Sequence, residues 1–273
     1  MIDLHLHTTA SDGTLTPTAL VERAARAGLT VISVTDHDTV VGLPEARAAA
    51  RAHAIRLIDG IEITAVEDAR DVHMLAYFFD PDHKSLLEFL EAQRADRVRR
   101  VEEMTARLRD LGAPIDSTCL LGTTAREPGR SVGRPQVADA LVAAGFAADR
   151  DDAFERWLGD ECPAYVPRRG AAPADVIALV AAAGGIVSLA HPGLLRKDAI
   201  IPRLAGEGLA ALEARHSDHD TADEQRYRAM AQALGLAVSG GSDYHGDTAH
   251  RSATIGEVTL APEDLAALEA RRA

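Results

Sequence analysis

Short apolar runs alternate with amphipathic stretches along the chain, and several of the apolar runs end in histidine or a carboxylate. That pairing limits the fold more than any other feature. The runs "IDLHLH", "TVISVTDHD", "IRLIDGIEIT", "DVHMLAYFF", "GIVSLAH", "LAALEARH" and "LAVSGGSDYH" read as strands. Between them, "TPTALVERAARAG", residues 43–53, 84–111, "APADVIALVAAAG", 198–206 and 222–234 read as helices. The first helix carries its own punctuation, with Thr16 as N-cap, Pro17 at the first helical position and Gly28 past the end. Strand–helix alternation of this kind argues a parallel, barrel-like sheet. In such barrels the active site lies at the carboxyl ends of the strands, where the histidines and carboxylates cluster.

The first strand states the problem most sharply. Side chains alternate across a strand, so His5 and His7 share one face while Ile2, Leu4 and Leu6 take the other. Two imidazoles on a buried face are costly unless something binds them. A satisfied pair of core histidines competes with a metal site on this stretch alone. Farther along, Asp36 and His37 close the second strand, and Glu62 lies near the end of the third. His191 ends "VSLAH", and Asp243 and His245 sit in "GSDYH". If the stretch between Glu62 and His73 turns as a hairpin near Glu67 and Asp68, those two become cross-strand neighbours.

Residues 112–172 interrupt the rhythm with Pro114, Pro128, Gly129, Gly133, Pro135, Pro163 and Pro167, around helical stretches at 134–145 and 150–158. With the end of the long helix they read as an inserted helical cap. The expected division is a barrel from 1–98 and 173–273, with a cap over 99–172.

Formal net charge is −13, which disfavours a duplex nucleic acid partner. Divalent ions would concentrate positive charge at one point and still draw in a small anion. Cys119 and Cys162 form neither a disulfide framework nor a CxxC pair. No apolar run is long enough to span a bilayer, and the first strand begins at once, without a basic and apolar leader. A cytoplasmic setting with no membrane contact is the expectation.

"DLHLHTTASDG", "TDHD", "GIE", the histidine of "DVHMLAYF", "AHP" and "GSDYH" occur in the order found in the PHP (polymerase and histidinol phosphatase) family, and on them the chain resembles that family over nearly its whole length. The resemblance implies an α/β fold, a distorted (β/α)7 TIM-like barrel of PHP type, with a trinuclear metal centre. Carried onto this chain, the ligands are His5, His7, Asp12, His37, Glu62, His73, His191, Asp243 and His245. One ion would be held by His5, His7, Glu62 and Asp243, and a second by Glu62, His73 and His191, with Glu62 shared. Asp12, His37 and His245 would hold the third. Asp12, His37, Glu62, Asp243 and His245 are expected to bear on catalysis. So nitrogen-rich a set suits Mn, with Fe or Zn as alternatives, better than Mg or Ca. The implied reaction is phosphoester hydrolysis by hydroxide generated on the metals, with no protein nucleophile. Asp36 is expected to orient imidazoles from behind. His53, His83 and His250 read as surface or helix histidines.

The cap resembles that of the stand-alone branch containing RNase AM and the 3′,5′-nucleotide bisphosphate phosphatases, through "RADRVRR", "SVGRPQVADALV" and "AYVPR". Arg97, Arg100 and Arg134 match that branch's arginines and would suit a second phosphate. For Arg97 and Arg100 the competing reading is a solvated helix face with i,i+4 pairs. His216 and His219, in "EARHSDHD", follow a strand end and either face the substrate or lie in a solvated loop. Two departures stand out: Gln136 where many relatives carry histidine, and "GDEC" (159–162) where they often carry Gly-Arg-Gly-Lys. The expected partner is a small phosphorylated nucleotide or a short single-stranded RNA end, with no obligate protein partner. Alternatives are a histidinol-phosphate phosphatase, a non-catalytic module stabilising a polymerase, and, on fold analogy, a metal-dependent amidase.

Overall fold

In the computed structural model of the chain, seven strands hydrogen-bond in chain order. They are β1 (Ile2–Leu6), β2 (Val31–Val34), β3 (Arg56–Glu67), β4 (Arg70–Tyr77), β5 (Ile186–Leu189), β6 (Ala211–Arg215) and β7 (Ala237–Gly240). The structure describes residues 1–246 and 254–272, apart from the side chains of residues 119 and 123–126; the expectation for His250 lies outside them. Beyond β7 the chain returns to β1. Leu6 and Tyr244 form a parallel bridge, and the His7 amide donates to the Tyr244 carbonyl at 3.0 Å. Asp3 reinforces this seam by accepting from the amide and hydroxyl of Ser242 at 3.0 and 2.6 Å. The result is a nearly closed seven-stranded barrel.

The sheet is not parallel throughout. β1, β2 and β3 run parallel, as do β5, β6 and β7, but β4 is antiparallel to both its neighbours. The cause is local: β3 and β4 form a hairpin that turns at Asp68 and Ala69, both at positive φ (51° and 61°), as a two-residue type I′ turn requires. No crossover helix can fit in so short a connection, so the direction reverses.

Helices α1 (Pro17–Arg26) and α2 (Leu43–Ala52) cover the first half of the barrel. Thr16 caps α1 by accepting from the Ala19 amide, and Gly28 leaves the helix at φ 81°. α3 (Lys84–Asp110) leads away from the barrel to α4 (Ser117–Arg126), α5 (Arg134–Ala143) and α6 (Arg150–Ala153). A π-helical turn at Phe154–Leu158 completes the stretch expected as plain helix at 150–158. The chain then returns through α7 (Pro173–Ala182), α8 (Pro192–Leu195), α9 (Ile201–Gly206) and α10 (Thr221–Leu234) to α11 (Pro262–Glu269). α4, α8 and α11 carry no counterpart in the sequence reading.

Two apolar cores result. The larger fills and surrounds the barrel, with Leu4, Leu6, Ile32, Ile61, Ile63 and Met74 fully buried. Truncating one of these leucines to alanine would cost about 2–5 kcal/mol. The smaller is drawn from Val101, Met104, Leu108, Val132, Val137, Leu141, Leu158 and Val166. α3 serves both: Leu86 and Leu90 pack in the first core, and Val101, Met104 and Leu108 in the second. Along the same buried stripe, between the two cores, lie Gln93, Arg97 and Arg100. Buried arginines in an apolar stripe demand partners, and they mark where the two cores face a shared cavity.

Candidate metal centre

Glu62 lies at the middle of the site, 1% exposed. Its Oε2 stands 3.2 Å from His5 Nε2, His7 Nε2 and His37 Nδ1, and its Oε1 stands 2.8 Å from His73 Nδ1 and 3.1 Å from His191 Nε2. Asp243 Oδ1 lies 3.3 Å from His5 Nε2 and 3.1 Å from His7 Nε2. Asp12 reaches His245 Nε2 at 3.3 Å and His37 Nε2 at 3.7 Å. All nine side chains singled out in the sequence thus meet around one point. They arrive from the ends of β1, β2, β5 and β7, from within β3 and β4, and from the loop after β1.

Four overlapping groups have the compactness of an ion site, and three of them are drawn from the nine: His5, His7, Glu62 and Asp243; His37, Glu62 and His73; and His7, Asp12, His37 and His245. The first matches the expected grouping. His7 joins the group expected for Asp12, and His37 stands with Glu62 and His73 where His191 was expected, although His191 approaches the same Glu62 oxygen. The donors fit a cation. His7 Nδ1 and Nε2, His37 Nδ1 and His73 Nδ1 are buried and make no hydrogen bond, yet each faces a carboxylate oxygen 2.8–3.6 Å away. Lone pairs converging on carboxylates from several directions are what a divalent ion satisfies.

Titration behaviour agrees. Burial holds His37 down to about 3 and His191 to about 4, with neighbouring imidazoles adding to the effect, so both are neutral donors at pH 7. For His7 burial opposes the charge, but Asp243 and Glu62 prevail and raise it to about 10. In the metal-free protein that imidazole keeps a proton, which cation binding displaces. Backbone strain gathers here too, with His191, Asp243 and Asp38 at φ 25°, 53° and 52°.

The centre forms the floor of a cavity of about 350 Å³, at the small end of the range for ligand pockets. Arg97, Arg100, Arg134, Arg150 and Arg168 line its other walls, with Ser131, Gln136 and Phe154. Each arginine is already paired. Arg97 Nε and Arg168 Nη1 donate to Asp38 Oδ2 at 2.6 and 3.2 Å. Arg100 and Arg134 lie 3.6 and 3.4 Å from Asp71. Burial alone would raise Asp38, but Arg97 and Arg168 hold it down to about 2; Asp71 is likewise kept below its ordinary value by Arg168, Arg100 and Arg134. Arg97 and Arg100 are therefore not a solvated face; Arg99 is the residue that makes the i,i+3 and i,i+4 pairs, with Asp96 and Glu103.

Several expectations need correction. His216 does not face the cavity: its side chain is buried and its Nε2 lies 3.3 Å from Asp243 Oδ2. His219 is no solvated loop residue, since it accepts from the Gly193 amide. Asp36 touches no imidazole; it accepts from the amide and hydroxyl of Thr8 and the hydroxyl of Ser11, and so braces the loop that carries Asp12. Gln136 has a role of its own. It donates to the Ser11 carbonyl at 2.8 Å and accepts from the Gly133 amide, tying α5 to the same loop. Asp160, in the departing "GDEC" stretch, accepts from Arg134 at 3.0 Å.

Sequence reasoning passed over Glu213, Arg168, Asp71 and Arg150. Arg168 stands in the quoted "AYVPR", and the arginines of α3 fall at apolar-stripe positions, a visible signal. Asp71 and Glu213 are carboxylates on strand positions with no local sign of their partners.

The PHP domain profile matches residues 3–119. The chain is 35% identical over 252 residues to a 5′-3′ exoribonuclease of Haemophilus influenzae, covering 89% of each. The chain belongs to the PHP family. It is also 32% identical to a 3′,5′-nucleoside bisphosphate phosphatase of Chromobacterium violaceum, covering 89% of this chain and 87% of that one. A solved structure from Bifidobacterium adolescentis, described as a metal-dependent phosphoesterase, superposes with a TM-score of 0.90 at 35% identity over 100% of this chain and 96% of that one. This PHP chain thus shares its fold with that solved structure along its whole length. No helix among its described residues is long and apolar enough to cross a membrane.

Proposed function

We propose that this chain is a metal-dependent phosphoesterase that releases phosphate from a small nucleotide, a 3′,5′-nucleoside bisphosphate, or cleaves at the 5′ end of short RNA. One observation carries the reading: a single cavity has imidazole and carboxylate donors for cations on one side and five arginines on the other. A substrate with two phosphates fits such a space, one at the metal floor and one among guanidinium groups.

The nine donors would hold three divalent ions, with Mn suited best by their nitrogen content. When bound, such ions acidify a coordinated water and neutralise charge on a phosphoryl oxygen. The chain's own groups do the rest. Glu62 presents both oxygens to the centre and so joins its parts. Asp12 and His245, on the cavity side, face the reacting phosphate, while His5 and His7 are buried behind it. Arg134, Arg100 and Arg168, each within 3.6 Å of Asp71, orient the distal phosphate. The cap over 99–172 encloses the substrate and limits bulk water. A cytoplasmic setting accords with a chain that carries only two cysteines.

The test is phosphate or nucleotide release by Mn-loaded protein from adenosine 3′,5′-bisphosphate, AMP, a 5′-phosphorylated oligoribonucleotide and histidinol phosphate. Turnover of the bisphosphate or the oligonucleotide at least about 100-fold above histidinol phosphate is expected, a margin of roughly 3 kcal/mol for the added arginine contacts. Preference for histidinol phosphate would overturn the substrate reading.

A further inference from the structure

β6 is the one strand that supplies no donor to the centre, yet it and the loop after it touch three residues that do. Glu213, fully buried in β6, divides its carboxylate. Its Oε1 accepts from His5 Nδ1 at 2.9 Å, and its Oε2 accepts from the His191 amide at 2.7 Å. Three residues on, His216 Nδ1 accepts from the Asp218 amide at 3.0 Å. Its proton is therefore on Nε2, which donates to Asp243 Oδ2 at 3.3 Å. His219 has the opposite tautomer. Its Nε2 accepts from the Gly193 amide at 3.1 Å, and its Nδ1 donates to the Ala214 carbonyl at 3.0 Å. That bond fastens the His191–Gly193 turn to β6, where His191 is held at φ 25°.

His5, Glu213 and His216 are close enough to suggest a further ion. Their hydrogen bonds argue otherwise, since both ring nitrogens of His216 are engaged and His5 Nδ1 points its proton at Glu213. His5 Nε2 faces Glu62 and Asp243 instead, at 3.2 and 3.3 Å.

We propose that Glu213, His216 and His219 are positioning residues for part of the metal centre. Resting on the functional reading above, they orient His5, Asp243 and His191, so two of the three ions depend on this segment. The third, held by Asp12, His37 and His245, does not, because none of the three residues touches its donors. Metal ligands whose supporting hydrogen bonds are removed typically lose about 10- to 100-fold in affinity.

The experiment measures Mn²⁺ bound per chain by equilibrium dialysis for the full-length protein and for E213Q, H216N and H219Q, with melting of the metal-free forms as the control for folding. At the lowest free Mn²⁺ that fills the native protein, E213Q is expected to lose two ions, H216N the one held by Asp243 and H219Q the one held by His191, each variant keeping the rest. Native affinity in all variants, or an equal loss at every position, would overturn the inference and leave the functional reading standing. A native protein that binds no Mn²⁺ would overturn the functional reading itself. H219Q changes a partly exposed residue and keeps the test open if a buried variant fails to fold. Imidazole ¹⁵N shifts of the metal-free native protein give a second readout. His216 must show its proton on Nε2 and His219 on Nδ1; the reverse pattern for either overturns the proposal.

Discussion

Glu62 Oε1 lies 2.8 Å from His73 Nδ1, although the two residues are not paired in the hairpin that carries them. The register sets Glu62 against Leu75 and His73 against Thr64, so the contact is diagonal. Diagonal neighbours in an antiparallel pair remain within reach of long side chains, and both groups point into the barrel mouth. Glu62 Oε2 is left for His5, His7 and His37. One carboxylate thereby joins β1, β2, β3 and β4 at a single point.

That arrangement makes Glu62 the most sensitive position. Glu62→Gln is expected to lower turnover at least about 100-fold and to reduce Mn²⁺ content, because it removes charge common to two of the candidate ion groups. Metal analysis and steady-state rates on the purified variant check this; native metal content with native turnover would refute it.

Metal should also stabilise the fold. A ligand bound only by the native state adds stability as its concentration rises above Kd. Chelator-treated protein is expected to lose turnover and melt lower, and Mn²⁺ should restore both, with Tm climbing as the ion is titrated. A melting temperature indifferent to metal would count against an ion in the site.

Arg134 is held by Asp160, and that contact competes with a phosphate. Asp160→Asn should lower KM for adenosine 3′,5′-bisphosphate by about 2- to 5-fold and leave kcat unchanged, the scale of a partly exposed ion pair. Arg134→Met should raise KM by about 10- to 100-fold, as loss of charged hydrogen bonds to phosphate would. An unchanged KM in Arg134→Met would remove this residue from the binding wall.

Asp38 gives a stability effect with a defined pH window. Its carboxyl is held down to about 2 by Arg97 and Arg168, against 3.8 when unfolded. A depressed acid contributes stability in full above the unfolded value and loses it as pH falls toward the folded one. The contribution, of order 2 kcal/mol, is complete at pH 5 and partly lost at pH 3. Urea unfolding of metal-free protein should therefore show Asp38→Asn more destabilising at pH 5 than at pH 3. Equal effects at both would mean that the buried pair is not ionised as drawn.

How far the site could be read in advance depended on locality. His5 and His7 belong to the end of β1, where a strand's period of two puts them on one face, while His37, Asp243 and His245 follow closely on strand ends and Asp12 lies in the loop after β1. The hairpin was visible because Glu62 and His73 flank a polar stretch of the right length. By contrast, Glu213 and His5 are 208 residues apart, and Arg168 and Asp38 are 130 apart. No spacing rule joins such pairs. His216 looked like a residue beside a substrate, and only the fold shows it buried against Asp243.

By itself the amino-acid order determined the alternation of strands and helices and singled out the nine side chains that meet around Glu62, because those depend on side-chain periodicity and on residue chemistry. Tertiary structure alone decided which carboxylates restrain which arginines, which imidazoles face Glu62 and which stand behind them, and that β4 reverses direction. Those outcomes follow from barrel closure and burial. Once water is excluded, each charged or polar group must take whatever partner the packing brings within about 3 Å, wherever it lies in the chain.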